Sequence, residues 1–312
     1  MILKRFFSSA FVPSHEPFDF RDLIDLQSIL NGVSKLLVLT GAGVSTESGI
    51  PDYRSDKVGR FATSKHRPIQ YQEFIKSSQV RRKYWARNFV AWPKFSSFQP
   101  NIVHSTLTYW EQQGRLLWII TQNIDDLHKK AGCTRVTDLH GSAYKVRCMR
   151  CDHVEHRQAF QSRMRFLNPY FDYNSTKIAP DGDVDLPDDV IENFVLPGCL
   201  RCGGDVKPGI VFFGDNVSSD VVEFCNDKID TADALLILGT SMSVYSGYRF
   251  AKRFSERSKS IFIINIGATR ADSLARMKIS AKCGDVVPLL KMTHENYTAL
   301  PLKDGLQIET TY

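Results

Sequence analysis

Residues 40–56, TGAGVSTESGIPDYRSD, constrain the fold more than any other stretch of this chain. They come directly after an apolar run, 35–39 (KLLVL), that reads as a strand buried on both faces. Gly41 and Gly43 then let the backbone turn tightly and approach something large. A strand, a glycine turn and a helix start are how a doubly wound sheet carries a dinucleotide pyrophosphate. A tight turn in any α/β protein reads the same way, so the residues beyond the turn decide. Ser45, Ser48, Gly49, Pro51, Asp52 and Arg54 form a polar, turn-rich segment where an ordinary nucleotide fold would continue its helix. A hydride-transferring dehydrogenase is disfavoured, because no GxGxxG comes after a strand and no acid is assignable to ribose recognition.

Further apolar runs at 116–121 (LLWIIT), 136–139, 234–238 (ALLIL) and 261–266 (IFIINI) predict strands. The rhythm resumes at 210–213 after an interruption. Helical spacing covers 18–30 with Gly32 as its stop, 70–98, 101–113, 221–229, 244–254 and a last helix from Cys283 to about residue 291. The loop 55–68, with Gly59 and Pro68, lies near the glycine turn, where loops often close over ligands. In an open parallel sheet ligands bind beyond the carboxyl ends of the strands. That position marks Gln122, Asn123, Ile124 and Asp125, then His140, then Gly239, Thr240 and Ser241. Asn123 and Asp125 also suit simple helix capping. The aromatics and cations of 79–98 could serve single-stranded nucleic acid; a helix with one apolar and one solvated face is the commoner cause.

Residues 144–208 break the α/β rhythm and hold two CxxC pairs, Cys148/Cys151 and Cys199/Cys202. Four thiolates suit tetrahedral zinc and leave no open position, so the metal is expected to be structural. The 47 residues between the pairs exceed the usual ribbon spacing of roughly 15–20. His153 and His156 could compete as ligands. A zinc ribbon for nucleic acid is the rival reading, weakened because the module interrupts an α/β pattern with ligand-type turns on both sides. The expected fold class is therefore α/β: a Rossmann-like doubly wound parallel sheet, 18–143 and 206–295, with a small inserted zinc-binding module at 144–205 and a tail at 296–312.

The 312 residues carry 40 Lys and Arg against 34 Asp and Glu, a balance of +6 that permits an acidic cofactor without announcing nucleic acid. No run approaches the roughly 20 apolar residues of a membrane span. Seven Cys, an odd number in a chain of this size, argue against a secreted disulfide framework. Residues 1–17 open on MILKRFFSSAFVP, with Lys4 and Arg5, two serines and no acid before Glu16. That composition is a mitochondrial transit peptide's, with a flexible tail as the alternative.

With these motifs in order, the chain resembles the sirtuins. The residues that say so are GAGVSTESGIPDYRS (41–55), TQNIDDLH (121–128), LHG (139–141), the two CxxC pairs, KPGIVFFGD (207–215), GTS (239–241) and NIG (265–267). The wording of GIPDYRSDKVG and YWARNFVAW, with the long insert, is similar to the mitochondrial class II branch, associated with lipoamidase, ADP-ribosyltransferase and weak deacetylase activity. The resemblance implies an NAD-dependent protein-lysine deacylase of the mitochondrial matrix, a monomer with acylated-lysine proteins as partners. NAD is then a consumed co-substrate, with one structural zinc ion on the four Cys. The pyrophosphate is implied at Gly41, Ala42 and Gly43. Ser45, Asp52, Tyr53 and Arg54 would surround nicotinamide and ribose, and Gln122, Asn123, Ile124 and Asp125 would shape the nicotinamide pocket. Gly239, Thr240, Ser241, Asn265, Ile266, Gly267 and Cys283 would hold the adenosine half.

His140 resembles the family's general base, with Asn123 and Asp125 as further catalytic candidates; an imidazole titrates near neutral pH and can take a proton from a ribose hydroxyl. The acyl carbonyl oxygen would displace nicotinamide at C1′, the activated hydroxyl would attack the resulting imidate, and hydrolysis would give free lysine and O-acyl-ADP-ribose. Val211, Phe212 and Phe213 would pair with the substrate backbone as an added strand. Tyr84-x-x-Arg87 is similar to the acid-reading pair of the desuccinylase branch; a packed Tyr and a surface Arg is the alternative. Tyr53 departs from the family, which mostly has Phe there. Mono-ADP-ribosyl transfer at the same site, and a zinc-stabilised module that binds NAD without turnover, remain open. His104 and His128 are expected to be structural, and Cys133 and Cys225 inert core thiols.

Overall fold

The computed structural model describes residues 9–64, 67–173 and 179–292. The proposed leader lies outside the described residues as far as Ser8, and the tail 296–312 lies wholly outside them.

Nine strands occur among the described residues: β1 Leu36–Thr40, β2 Leu116–Thr121, β3 Val136–Asp138, β4 Gly141–Cys148, β5 Val154–His156, β6 Val206–Ile210, β7 Ala234–Leu238, β8 Ser260–Ile264 and β9 Met277–Ile279. Six form one sheet in the order β3-β2-β1-β7-β8-β9. Every neighbour pair is parallel, with Leu36 opposite Ala234 and Thr40 opposite both Thr121 and Leu238. The strand order reverses between β1 and β7, so the crevice of a doubly wound sheet opens at their carboxyl ends. Both strands are buried at all five positions, because helices cover both faces. Alternation then divides their side chains. Leu36, Val38, Leu236 and Leu238 join one core with Leu26, Leu30, Leu107 and Trp110. Leu37, Leu39, Leu235 and Ile237 join the opposite core with Cys225, Phe250 and Phe254.

Helix ends are set locally. Asp19 accepts from the Arg21 N–H to open Phe20–Asn31, and Gly32 comes directly after its last residue. Asn101 caps Ile102–Gln112 through Oδ1 on the Val103 N–H, at 2.9 Å. Its Nδ2 donates to the Val44 carbonyl at 2.7 Å and to Ser48 Oγ at 3.0 Å, tying that helix to the glycine turn.

Two sequence readings need correction. The run 210–213 is not a return to the parallel sheet. β6 ends at Ile210 and pairs antiparallel with β4 in a second sheet, ordered β5-β4-β6. The sixth parallel strand is instead β9, whose three residues, with Lys278 in the middle, carry too little apolar pattern to be read. The last helix is also shorter than expected: Cys283–Val286 passes into a 3₁₀ turn, Val287–Leu289.

Helix Ser78–Ser97 packs with the small sheet. Trp85 and Phe89 share a core with Val146, Phe160, Ile210 and Phe212. The Arg157 guanidinium lies 5.4 Å from the centre of the Trp85 ring and 4.5 Å from that of Trp92. The aromatics of 80–98 therefore build a core, but the expected solvated face is missing from Tyr84 to Phe89, where six successive residues are buried, Arg87 among them. Among the described residues no helix is long and apolar enough to cross a membrane.

Candidate active site

One large cavity, about 840 Å³, opens at the carboxyl ends of β1, β2, β7 and β8 and continues to the end of β6. All the residues assigned to the base, the dinucleotide and the substrate strand line it: 41–43, 45, 52–54, 122–125, 140, 211–213, 239–241, 265–267 and 283.

The glycines are required first by the protein itself. The Gly43 N–H donates to the Gly239 carbonyl at 2.8 Å, and a Cβ at 43 would stand 2.8 Å from the Gly239 Cα. The turns after β1 and β7 are thus in backbone contact, and a ligand meets them as one surface. The segment after them is a 3₁₀ helix, Ala42–Ser48, ended at Gly49 with φ 93°. The continuing helix of an ordinary nucleotide fold is absent there, as the polar sequence implied. Glu47 accepts the Gly284 N–H at 2.9 Å and pairs with Lys282 at 3.7 Å, which brings Cys283 to the cavity wall.

A buried polar group joins β1 to β2. Ser45 Oγ donates to Asp125 Oδ2 at 2.7 Å. Asn123 Nδ2 donates to Ser45 Oγ at 3.1 Å and to the Gly41 carbonyl at 3.0 Å. Asp125 Oδ1 accepts the Leu127 N–H at 2.9 Å, so this carboxylate fixes the chain ahead of the turn Leu127–Lys130, whose N-cap is Asp126, and holds Ser45 at the same time. Burial raises its pKa, and the bonds from Leu127 and Ser45 oppose the rise. Gln122 Nε2 donates to Thr240 Oγ1 at 3.0 Å. Asp52 accepts the N–H groups of Arg54 and Ser55 at 2.9 and 2.7 Å, which makes it the former of its turn. The Tyr53 ring packs on Phe213 with centroids 5.7 Å apart, and the Arg54 guanidinium lies 5.5 Å from the centre of the Phe61 ring.

His140 stands where the large sheet hands over to the small one. Its carbonyl accepts the Val211 N–H at 2.8 Å. Gly141 is next, with φ 76°, and a Cβ there would lie 2.1 Å from the Gly209 carbonyl oxygen. The ring Nδ1 is 2.9 Å from the Gln122 carbonyl, which can only accept, so Nδ1 carries the proton. The lone pair is on Nε2, 2.8 Å from Ser246 Oγ. Burial lowers the imidazole pKa; the Gln122 bond raises it and the Arg249 charge lowers it further. A neutral ring whose lone pair faces the cavity and holds only an exchangeable serine hydroxyl is a base. His128 differs: it is 2% exposed, bonded to Thr40 Oγ1 at 3.1 Å, and burial holds it at about 4. His104 packs on it with ring centres 4.8 Å apart. Both are structural, as expected. Burial lifts Cys133 and Cys225 to about 12, so neither thiol is a nucleophile at neutral pH.

Val211, Phe212 and Phe213 continue from β6 along the cavity. The Val211 N–H is engaged by His140, and the Phe213 carbonyl accepts the Tyr71 N–H at 2.9 Å.

Cys148, Cys151, Cys199 and Cys202 converge, with all four Sγ atoms within 4.8 Å of one another. Cys148 to Cys202 is 3.5 Å and Cys151 to Cys199 is 3.8 Å, near the edge of a tetrahedron with Zn–S bonds of about 2.3 Å. The donor set fits zinc. His156 accepts the Gln158 N–H at 3.2 Å as a helix cap, and the His153 carbonyl accepts from Cys148 N at 3.0 Å.

The Tyr84–Arg87 pair divides. Tyr84 lines the cavity and packs edge-on to Phe212, with centroids 5.4 Å apart. Arg87 is neither on the surface nor on the cavity wall. It is 1% exposed and pairs through Nε with Asp183 at 3.0 Å and through Nη2 with Asp185 at 2.9 Å. These acids come from the long insert, which also places Pro180, Asp181 and Asp183 on the cavity wall. Burial and the neighbouring Asp183 raise Asp181 to about 6. Sequence reading misses these residues; the length of the insert is the only sign of them. It also misses Pro13 and Ser14, which wall the cavity from within the proposed leader, and Ser246 and Arg249.

Comparison with known proteins agrees with the geometry. The Sir2 family profile matches residues 41–246. The NAD-dependent protein lipoamidase sirtuin-4, mitochondrial, of Bos taurus is 49% identical, over 90% of this chain and 89% of its own. The NAD-dependent protein deacylase Sirt4 of Drosophila melanogaster is 51% identical over 90% of each chain. A solved Sir2 homologue–NAD complex, 29% identical, superposes with a TM-score of 0.66 over 91% of this chain and 96% of that one. The motif resemblance, the Rossmann-like sheet and the four-Cys cluster agree with these matches: the chain belongs to the Sir2 family.

Proposed function

We propose that this chain is an NAD-dependent protein-lysine deacylase of the lipoamidase and deacetylase type, acting on acylated proteins in the mitochondrial matrix. The observation that carries the reading is the position of His140. A neutral imidazole with its lone pair on Nε2 stands in one cavity with the double-glycine turn and the 211–213 edge. The names of the relatives, lipoamidase and deacylase, support the same activity.

NAD, as co-substrate, supplies the ribose that accepts the acyl group and gives up its nicotinamide. Gly41, Ala42 and Gly43 approach its pyrophosphate, and residues 239–241, 265–267 and Cys283 hold the adenosine half. Ser45, Asn123 and Asp125 are bonded to one another, so they hold one another in place as a wall for the nicotinamide ring. The acyl oxygen would take the place of nicotinamide at C1′, and His140 Nε2 would take the proton of a ribose hydroxyl so that its oxygen adds to the acyl carbon; the lysine amine would leave protonated, and one water would complete O-acyl-ADP-ribose. The edge at 211–213 binds substrate backbone, which reads chain direction and little sequence. The four Cys hold a structural zinc ion that takes no part in the chemistry.

The mitochondrial names of the bovine and human relatives support the localisation, and the basic start of the chain supports a leader. The test of function is incubation with NAD and a panel of lipoyl-, acetyl- and longer acyl-lysine peptides, read by mass spectrometry for nicotinamide and O-acyl-ADP-ribose. Turnover of at least one acyl peptide is expected. ADP-ribose attached to protein, with no deacylated peptide, would favour the transferase reading instead.

A further inference from the structure

We propose that the first turn of helix Tyr245–Ser255 is the positioning element of the base, with Ser246 aiming the His140 lone pair and Arg249 holding the turn that carries Ser246. The inference rests on the reading of His140 as the base.

Nδ1–H is fixed on the Gln122 carbonyl at 2.9 Å, so Nε2 can only accept, and at 2.8 Å from Ser246 Oγ it accepts the serine hydroxyl. The ring is thus held at both nitrogens, by a backbone carbonyl on one side and a side chain from another element on the other. Ser246 is the second residue of an eleven-residue helix, where unpaired N–H groups and the helix dipole disfavour a nearby positive charge. Arg249 lies one turn on, its Nε donating to the Ser246 carbonyl at 3.2 Å. Both residues line the cavity beside His140.

The elements packed round the ring bring few charges. The loop after β2 contributes Asp125, engaged by Ser45 and Leu127. The loop after β6 contributes Asp215, paired with Lys207 at 3.3 Å. Arg249 is the charge that acts on the imidazole, and it acts against protonation. Burial works in the same direction. A ribose hydroxyl reaches Nε2 once Ser246 turns its hydroxyl away, a rotation about one side-chain bond. Ser246 therefore guards the orientation of the lone pair until substrate replaces it. Neither residue gives or takes the reacting proton; both act through His140.

The test uses the full chain with NAD and its best acyl peptide from the panel. Ser246→Ala is expected to lower the kcat of deacylation about tenfold, part of the roughly 10²–10⁴-fold that a positioned base supplies. The KM values for NAD and peptide stay near wild type. Exchange of labelled nicotinamide into NAD, which precedes the base, does not fall, and Ser246→Thr restores the rate. Arg249→Gln removes a charge that opposes protonation. The imidazole pKa then rises, and the acid limb of the kcat–pH profile moves to higher pH, while Arg249→Lys leaves it in place. Unchanged kcat in Ser246→Ala with an unmoved limb in Arg249→Gln overturns the proposal. So does nicotinamide exchange falling in parallel with deacylation, which would place the effect on cofactor binding. His140→Ala is the control that separates the two readings: if it still deacylates, the base assignment fails, whatever Ser246 and Arg249 do.

Discussion

At the scale of single residues, two buried histidines and one half-buried histidine show how environment divides one chemistry. His140 has a bonded Nδ1 and an available lone pair; His128 and His104 are packed against each other. Because burial lowers the His140 pKa, the base stays neutral below the ordinary imidazole value of about 6.5. The acid limb of the kcat–pH profile is therefore expected below pH 6.5, and a limb above it would contradict the assignment. His128 makes the corresponding statement about stability. Its folded value of about 4 lies below the unfolded value of about 6.5, so the unfolded chain binds the extra proton. Stability contributed by the neutral ring is complete above 6.5 and is lost as pH falls towards 4, by ~3 kcal/mol. His104, depressed by the same burial, adds in the same direction. Urea denaturation between about pH 7 and about pH 4 measures the slope, and His128→Asn should flatten it.

At the scale of elements, legibility follows the length and purity of the apolar runs. LLWIIT and ALLIL can be read to their ends, because an interior strand of a helix-covered sheet is an almost unbroken apolar run, buried throughout in ALLIL and half-buried only at Leu117 and Trp118 in LLWIIT. β9 is illegible because three residues with a central lysine carry no period, and β6 is misplaced because its partner β4 is distant in sequence. Among site residues, the glycine turns, His140 and the four Cys are legible, since each is tied to a strand end or a fixed spacing. Asp181, Asp183, Ser246 and Arg249 are not; they reach the cavity through folding of a loop and a helix whose sequences show no chemistry. The zinc knuckles hold together β4, the turn after it and the loop before β6. Removing the metal with a strong chelator should expose the core of the small sheet, read as a rise in Trp85 and Trp92 emission wavelength. Metal analysis should return one zinc per chain, and Cys199→Ser should reproduce the chelated state. An unchanged spectrum without metal would refute a structural role.

At the scale of the whole molecule, the two sheets meet at His140, and the insert closes the far side of the cavity. Arg87 carries that closure: its buried guanidinium holds Asp183 and Asp185 of the insert against helix Ser78–Ser97. Asp183→Asn leaves a buried cation short of its charge partner, and a loss of about 3–5 kcal/mol is expected in chemical denaturation. A loss under about 1 kcal/mol would mean that exposed Asp185 suffices. Base, cofactor turn and substrate edge then act in a single cavity on a single reaction. The most direct test is the time course of three products in one reaction of the full chain with NAD and its preferred acyl peptide. Nicotinamide, deacylated peptide and O-acyl-ADP-ribose should rise together in equal amounts, and in His140→Ala the last two should be lost while nicotinamide exchange persists. Deacylated peptide formed without NAD, or with free carboxylic acid in place of O-acyl-ADP-ribose, would contradict it.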